Sequence, residues 1–231
     1  MMQSLLFLGI DLGTSLLKLQ VVDAAGAAVA EASAPLALSI PRPGWAEQDP
    51  ADWWAALVPA CRALFAGGQV DPARIAAVGL SGQMHGAVFL DGQGAVLRPC
   101  LIWADSRTGA QVTQIDERVP RATLIGITGN APNTSFTAAK VLWVQQHEPE
   151  VYGRTSQILL PKDYLRWRLT GGYATDVSDA SATLLFDLAR RDWSATLLET
   201  FGIRADLLPR VHESAAITGA ITAEAAVATG L

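Results

Sequence analysis

The sequence is short of charge. Lysine, arginine, aspartate and glutamate make up 17% of its 231 residues, against the roughly 25% usual in globular proteins. Part of the surface is therefore expected to be covered by something other than water, although a generous core explains the shortage equally well. No lysine- or arginine-rich stretch occurs and the net charge is −5, so the footprint of a nucleic-acid binder is missing. No apolar run approaches the roughly 18 residues that a bilayer span needs, so no membrane partner is expected. The opening MMQSLLFLGI has no basic leader and soon meets Asp11; it reads as a first strand, not a secretory signal. Only two cysteines occur, Cys61 and Cys100, both in apolar runs and without metal-ligand spacing. A disulfide scaffold is excluded, and two buried free thiols of a cytoplasmic protein are expected. Repeats and low-complexity segments are also missing, so the length predicts one large or two small globular domains.

What is there alternates between strand and helix. Residues 5–10, 16–23 and 27–34 read as strands, with turns at 11–15 and 24–26. Such short connections force an antiparallel meander, because a parallel crossover needs about a dozen residues or more. Asp49 is a good N-cap, Pro50 suits a first helical turn, and Trp53, Trp54, Leu57 and Val58 recur at helical spacing. Residues 74–80 form a short apolar strand. Asp91-Gly92-Gln93-Gly94 signals a hairpin between 87–90 and 95–97, and 100–104 reads as another strand. Helices are expected at 136–147, 161–169, 194–201 and 222–229, the last three ended by glycines at 171, 202 and 230. The order predicts an α/β domain, a mixed sheet flanked by helices and not a pure parallel βαβ fold.

Three stretches carry chemistry. In GIDLGTS, residues 9–15, a strand delivers Asp11 to its end and Gly13 permits a tight turn. The amides of Gly13, Thr14 and Ser15 suit phosphate oxygens as a backbone nest. Asp11 suits Mg2+ held through water, and Lys18 stands near enough to face the same charge. A plain hairpin explains the same residues, since Asp and Gly are turn formers. GLSGQMHGAVFLD, residues 79–91, follows a strand, where ligand contacts gather in α/β folds. Gly82 and Gly86 flank Met84, an apolar wall, and His85, a partner for hydroxyls; a core methionine and a structural histidine are the alternative. In LIWADSRTGAQ, residues 101–111, Trp103 offers a sugar-stacking face and Asp105 with Arg107 a pair to orient polyol hydroxyls. A salt bridge capping the next helix is the alternative.

Strand-DLGTS-strand resembles the first phosphate motif of the actin-like ATPase superfamily. PGWAEQDPADWW (43–54), GQMHGAVFLD (82–91), LIWADSRT (101–108), FTAAKVLWVQQHEPE (136–150), LLPKDYLRWRLTG (159–171), TDVSDASATLLFD (175–187) and RDWS (191–194) extend the likeness along the chain. In that order they resemble the FGGY family of carbohydrate kinases, and within it the branch that acts on xylulose. Glycerol kinases carry Arg-Glu where Met84-His85 stand here.

The resemblance implies an RNase H-like fold and a reaction of D-xylulose with MgATP to give xylulose 5-phosphate and ADP. ATP and Mg2+ are the implied cofactors. Residues 1–231 would form the N-terminal sugar-binding domain. Asp11 would sit near Mg2+ and the transferred phosphoryl group, Gly13, Thr14, Ser15 and Lys18 at the phosphates. Met84, His85, Trp103, Asp105 and Arg107 would line the sugar pocket. The family's proton acceptor, an Asp in a glycine-rich stretch, is not among these residues. It and the nucleotide-binding domain would lie beyond residue 231, so this chain alone is expected to have no substantial kinase activity. An uncovered interface would favour a homodimer. Another polyol substrate (ribulose or gluconate), a non-catalytic sugar-binding domain and a chaperone- or actin-like ATPase stay open, the last disfavoured by QMHG and WADSR. Asp163, Asp176 and Asp179 fit helix capping and loop bonds. Lys140 and Trp143 read as packing or a salt bridge, and His147 and His212 as surface residues.

Overall fold

The structure, a computed structural model, describes residues 5–231; the first four residues of the stretch weighed as a leader lie outside the described residues. Strand β1 (Leu6–Leu12) alternates strictly, with Leu6, Leu8, Ile10 and Leu12 buried on one face and Asp11 exposed on the other. β2 (Leu16–Asp23) and β3 (Ala28–Pro35) follow as the antiparallel meander that the short turns require. β1 runs on past residue 10, so Asp11 is a strand residue paired with Lys18, and the turn shrinks to residues 13–15.

After β4 (Glu47–Gln48), helix α1 (Pro50–Ala66) starts as its cap predicts: Asp49 accepts a hydrogen bond from the Ala51 amide at 2.9 Å. Its Trp53, Leu57, Cys61 and Leu64 cover the apolar face of the sheet. β5 (Ile75–Gly82) then pairs parallel with β1, giving the mixed order β3-β2-β1-β5.

The rest is built from short pieces: β6 (Val88–Leu90), β7 (Cys100–Leu101), α2 (Gly109–Arg118), α3 (Arg121–Thr128), α4 (Thr137–His147), α5 (Pro149–Arg154), β8 (Gln157–Leu159) and α6 (Pro161–Thr170). β9 (Ala174–Asp176), α7 (Val177–Ala180), β10 (Phe186–Asp187), β11 (Asp192–Trp193), α8 (Ala195–Phe201), β12 (Arg210–His212) and α9 (Ala223–Thr229) complete it. The strand expected at 100–104 stops after Leu101, because the chain turns there and the Asp105 amide bonds back to the Ile102 carbonyl. The second hairpin arm expected at 95–97 is a single bridge between Leu90 and Val96. α4 ends before Pro149 as expected, but that proline opens α5 at once, since it fits a helix's first turn. His212 belongs to β12 and is half-buried rather than a surface residue.

Two cores result. The first joins the sheet to α1, α6 and α9; the second lies among α2, α3, α4 and α8. β6, β7 and β8 form the partition. Val88, Leu90, Cys100 and Leu159 face the first core, while Phe89, Leu101 and Ile158 face the second. Both faces are apolar, so these strands read as unbroken hydrophobic runs. Each buried side chain of this size is worth about 1.5–3 kcal/mol. Residues 83–86 leave β5 and lead into β6 of the partition, with Met84 half-exposed and His85 buried. Among the described residues, no helix is long and apolar enough to cross a membrane.

Candidate functional site

A groove of about 470 Å³ opens where β1 and β5 end. It gathers parts of all three stretches: Asp11, Gly13 and Thr14; Gly82 to His85; and Trp103, with Ser135 on a further wall. The strand ends meet closely because Gly82 has no side chain; a Cβ there would stand 2.9 Å from the Leu12 carbonyl oxygen. Gly13 is equally constrained, with the Leu16 oxygen 2.8 Å from where its Cβ would lie.

Two buried glutamines hold the groove together. Gln83 Nε2 donates to Gln48 Oε1 at 2.6 Å, and Gln48 Nε2 donates to the Thr14 carbonyl at 2.8 Å. Trp103 Nε1 donates to Thr14 Oγ1 at 2.8 Å, which leaves the indole half-exposed at the rim beside the half-exposed Met84. The Gly13 amide is spent on the Leu16 carbonyl, so it is not part of a phosphate nest. Among the described residues, the amides of Thr14 and Ser15 have no protein acceptor. Ser15 is exposed but outside the groove's lining. Lys18 is not at the turn: it stands beside Asp11 on the open face of the sheet, over a separate hollow of about 960 Å³. Its register with Asp11, set by strand pairing, put it there.

His85 is the most constrained residue in the groove. It takes a left-handed backbone, φ 67°, and is buried. Its carbonyl accepts from Thr137 Oγ1 at 3.2 Å and Lys140 Nζ at 3.1 Å, and its ring meets Phe136 edge-on. Nδ1 lies 2.8 Å from the Ala182 carbonyl oxygen. A carbonyl only accepts, so Nδ1 carries the proton, and in the neutral ring Nε2 is an acceptor. Burial is the main reason its pKa falls below the ordinary 6.5; the Ala182 carbonyl opposes that and the Lys140 charge adds to it. The ring is therefore neutral at pH 7.

Lys140 is neither in a salt bridge nor simple packing. Fully buried, it donates to the His85 carbonyl and, at short range, to the carbonyl of Ser135, tying two walls of the groove. Burial pushes its pKa down to about 7, with the Asp105 carboxylate opposing the shift.

Asp105 and Arg107 are not at the groove's surface. Asp105 is 1% exposed and accepts from the Ala46 amide and from Arg107. Arg107 also pairs with Glu47 at 2.8 Å, and its guanidinium lies 3.5 Å from the Trp45 ring centre. Arg98 joins Glu47 to Glu148. The pair is turned inward and braces the loop after Trp103 against residues 45–47; Arg107 Nη1, buried, has no partner among the described residues. It does not cap α2 either; Thr108 is the N-cap.

Asp176 caps α7 through the Ser178 amide, as expected. Asp163 and Asp179, however, gather with it around Lys162, a cluster that no spacing in the sequence announces. Gln48, Gln83 and Lys140 were equally silent: Gln48 stands next to a helix cap, Gln83 inside a motif read for its neighbours, and Lys140 inside an apolar helix.

Among the described residues, no group of three or more His, Cys, Asp or Glu could hold a metal ion. Asp11, exposed on the groove wall, is the carboxylate available there. A single carboxylate fits Mg2+, which keeps most of its water shell.

Comparison with known proteins adds the following. Residues 6–231 match the FGGY family of carbohydrate kinases, N-terminal domain. The xylulose kinase of Escherichia coli (strain K12) is 45% identical over 226 residues, 98% of this chain and 46% of that protein. The solved xyloylose kinase of Brucella ovis superposes with a TM-score of 0.91 at 42% identity, covering 95% of this chain and 46% of that one. The gluconate kinase of Lactobacillus acidophilus gives 0.92 at 27% identity, covering 99% and 46%. The chain spans about half the length of the curated relatives it matches.

Proposed function

Because the chain belongs to the FGGY family of carbohydrate kinases, we propose that it is the sugar-holding domain of a cytoplasmic enzyme that phosphorylates D-xylulose with ATP. The observation that carries the reading is the groove itself, where Met84 and His85, Trp103, and the Asp11–Thr14 turn share one wall system. The half-exposed Trp103 indole suits the apolar face of a sugar, and Met84 supplies a second apolar surface. His85, neutral and protonated on Nδ1, accepts a hydrogen bond from a sugar hydroxyl through Nε2. That hydroxyl keeps its own acceptor lone pairs free.

Phosphoryl transfer needs mainly positioning and electrostatics, plus an acceptor for the hydroxyl proton. The Thr14 and Ser15 amides suit phosphate oxygens. Asp11 would hold Mg2+ through water, and the ion would neutralise charge on the transferring group. His85 Nδ1 is committed to the Ala182 carbonyl, and its Nε2 is assigned to holding a sugar hydroxyl. We assign that step, with nucleotide binding, to a second domain of the whole enzyme; relatives of about twice this length support the division.

Likeness to a gluconate kinase keeps a second substrate in view. Titrating this chain with D-xylulose, D-ribulose, gluconate and glycerol, by calorimetry, tests the choice. D-Xylulose is expected to bind most tightly, and addition of MgATP to produce no sugar phosphate. Tighter binding of another sugar replaces the substrate; no sugar binding sinks the assignment; sugar-dependent ADP release by this chain sinks the division of labour.

A further inference from the structure

Next to the sugar groove lies a second hollow of about 480 Å³, which shares Gly82 and Met84 with it and is lined by Lys162, Asp176, Asp179 and Ala182. At its wall, Lys162 Nζ stands 2.7 Å from Asp163 Oδ1, 2.8 Å from Asp176 Oδ1 and 3.3 Å from Asp179 Oδ2. One ammonium is shared by three largely buried carboxylates, and Arg166, in the lining of the same hollow, adds a second positive charge near Asp163. Burial alone would depress the Lys162 pKa, but the carboxylates outweigh it and keep the ammonium charged. Burial pushes Asp179 up to about 6, helped by Asp163 and Asp176 and opposed by Lys162.

The carboxylates on one side of this cluster belong to a segment that cannot hold itself. α7 has only four residues, far below the length at which a helix is stable alone. It is tied at Asp176, to Lys162, to Ser214 and through the pairing of β9 with β12, and at Asp179, to Lys162, with Ala180 buried beneath it. The turn at Ser181–Thr183 follows directly, with Leu184 in a left-handed conformation, φ 62°. In the middle of that turn is Ala182, whose carbonyl holds His85 Nδ1 at 2.8 Å. The turn is also tied by Asn130 to the Ser181 carbonyl at 3.2 Å, by Ser181 Oγ to the Ser178 carbonyl at 2.7 Å, by Thr183 to the Ala180 carbonyl and by the Leu185 amide to Thr183 Oγ1. The chain after it is anchored by Leu184 and Leu185 in the second core.

We propose that Lys162 is a positioning residue for the sugar site: by holding Asp176 and Asp179 together it fixes the segment whose Ala182 carbonyl sets the proton and the orientation of His85. The inference rests on the groove being the sugar site. Without Lys162, the three carboxylates lose the cation that they share, and the positive charge left nearby is Arg166, beside Asp163. Stranded buried charge of this kind is strongly destabilising, and the adjoining hollow gives the segment somewhere to move. The Ala182 carbonyl then leaves Nδ1, and the His85 ring is free to take its proton on Nε2. Nε2 is then a donor, the opposite of what the groove presents now.

The test is nitrogen NMR of the imidazoles in 15N-histidine-labelled protein, which contains three histidines. His85 in the unaltered chain is expected as the pure Nδ1–H form. In Lys162→Met it is expected to shift to a mixture with Nε2–H, with His147 unchanged and D-xylulose binding at least tenfold weaker. Lys162→Arg is expected to restore both. If Lys162→Met does not fold, Asp179→Asn removes one tie, leaves the other two, and should shift the same tautomer less. A folded variant of either kind in which His85 stays pure Nδ1–H overturns the proposal. The NMR needs no sugar, so a shift in the variant with no sugar binding in the unaltered chain would uphold the positioning and reject the sugar site.

Discussion

Trp103 Nε1 and Thr14 Oγ1 meet at 2.8 Å across 89 residues of chain. The bond ties the rim of the groove to the turn that follows β1, so the Trp103 indole and that turn are held together.

Thr14→Val removes that acceptor and keeps the shape. A neutral hydrogen bond contributes about 0.5–1.5 kcal/mol, and Trp103 is half-exposed, so water replaces the lost partner. Stability should fall by less than about 1 kcal/mol, while D-xylulose affinity should fall several-fold as the indole loosens. Calorimetry and the fluorescence anisotropy of a Trp103-dependent signal, referenced to Trp103→Phe, measure the two.

His85 combines function with a left-handed backbone, which costs an L-residue about 1–2 kcal/mol. Both His85→Ala and His85→Gly should abolish measurable sugar binding. The glycine variant should be the more stable of the two by about 1 kcal/mol, since glycine adopts the same φ without a Cβ penalty. Urea denaturation compares them.

Arg107→Met should destabilise the chain by about 3–5 kcal/mol, because Asp105 and Glu47 are left buried beside an apolar side chain. Sugar affinity of the remaining folded protein should change little if Arg107 only braces the Trp103 loop. A large loss of affinity in folded protein would place Arg107 at the sugar after all.

Stability should depend on alkaline pH in two opposing ways. Lys140 has its pKa lowered from the ordinary 10.5 to about 7, so the unfolded chain holds the extra proton between those values and stability rises with pH from about 7. Cys61 and Cys100 are raised from 9.0 to about 12 by burial. Their stabilisation is complete below pH 9 and is lost as the pH climbs through 12. The expected profile is a rise from pH 7 to about 9 followed by a fall, and Lys140→Met should remove the rise.

Gly86→Ala should destabilise by about 1–3 kcal/mol. Its Cβ would lie 2.6 Å from Pro161 Cγ and 3.0 Å from Cys100 Sγ, and neither neighbour is the free end of a flexible chain. Thermal unfolding is the measurement, with Gly79→Ala as a control, since open space surrounds that position.

The parts of the fold legible in the sequence are those with one wet face or a marked end. β1 to β3 alternate because one side of the sheet is exposed, and α1, α8 and α9 show their caps at Asp49, Ser194 and Thr222. β6, β7 and β8 are not legible as a partition, because both of their faces are buried and no period survives. The groove's lining was readable as motifs, but Asp105 and Arg107 were read as ligands because spacing does not reveal burial. The bond from His85 to Ala182 spans 97 residues, and nothing local to either residue announces it. Backbone carbonyls carry no sequence identity, so the partners of His85 and Lys140 became visible only once the chain was folded.

Cys100 lies against Gly86, in the partition between the two cores. Its thiol is fully buried and its pKa is pushed up to about 12, so it cannot react with an alkylating reagent until the partition opens. The chain thus carries a built-in stopwatch for that opening. Cys61, buried in α1 against the sheet, keeps separate time for the helix. Equal labelling rates at the two thiols mean that the domain opens as one unit, whereas faster labelling at Cys100 means that the partition breathes while the sheet stays shut.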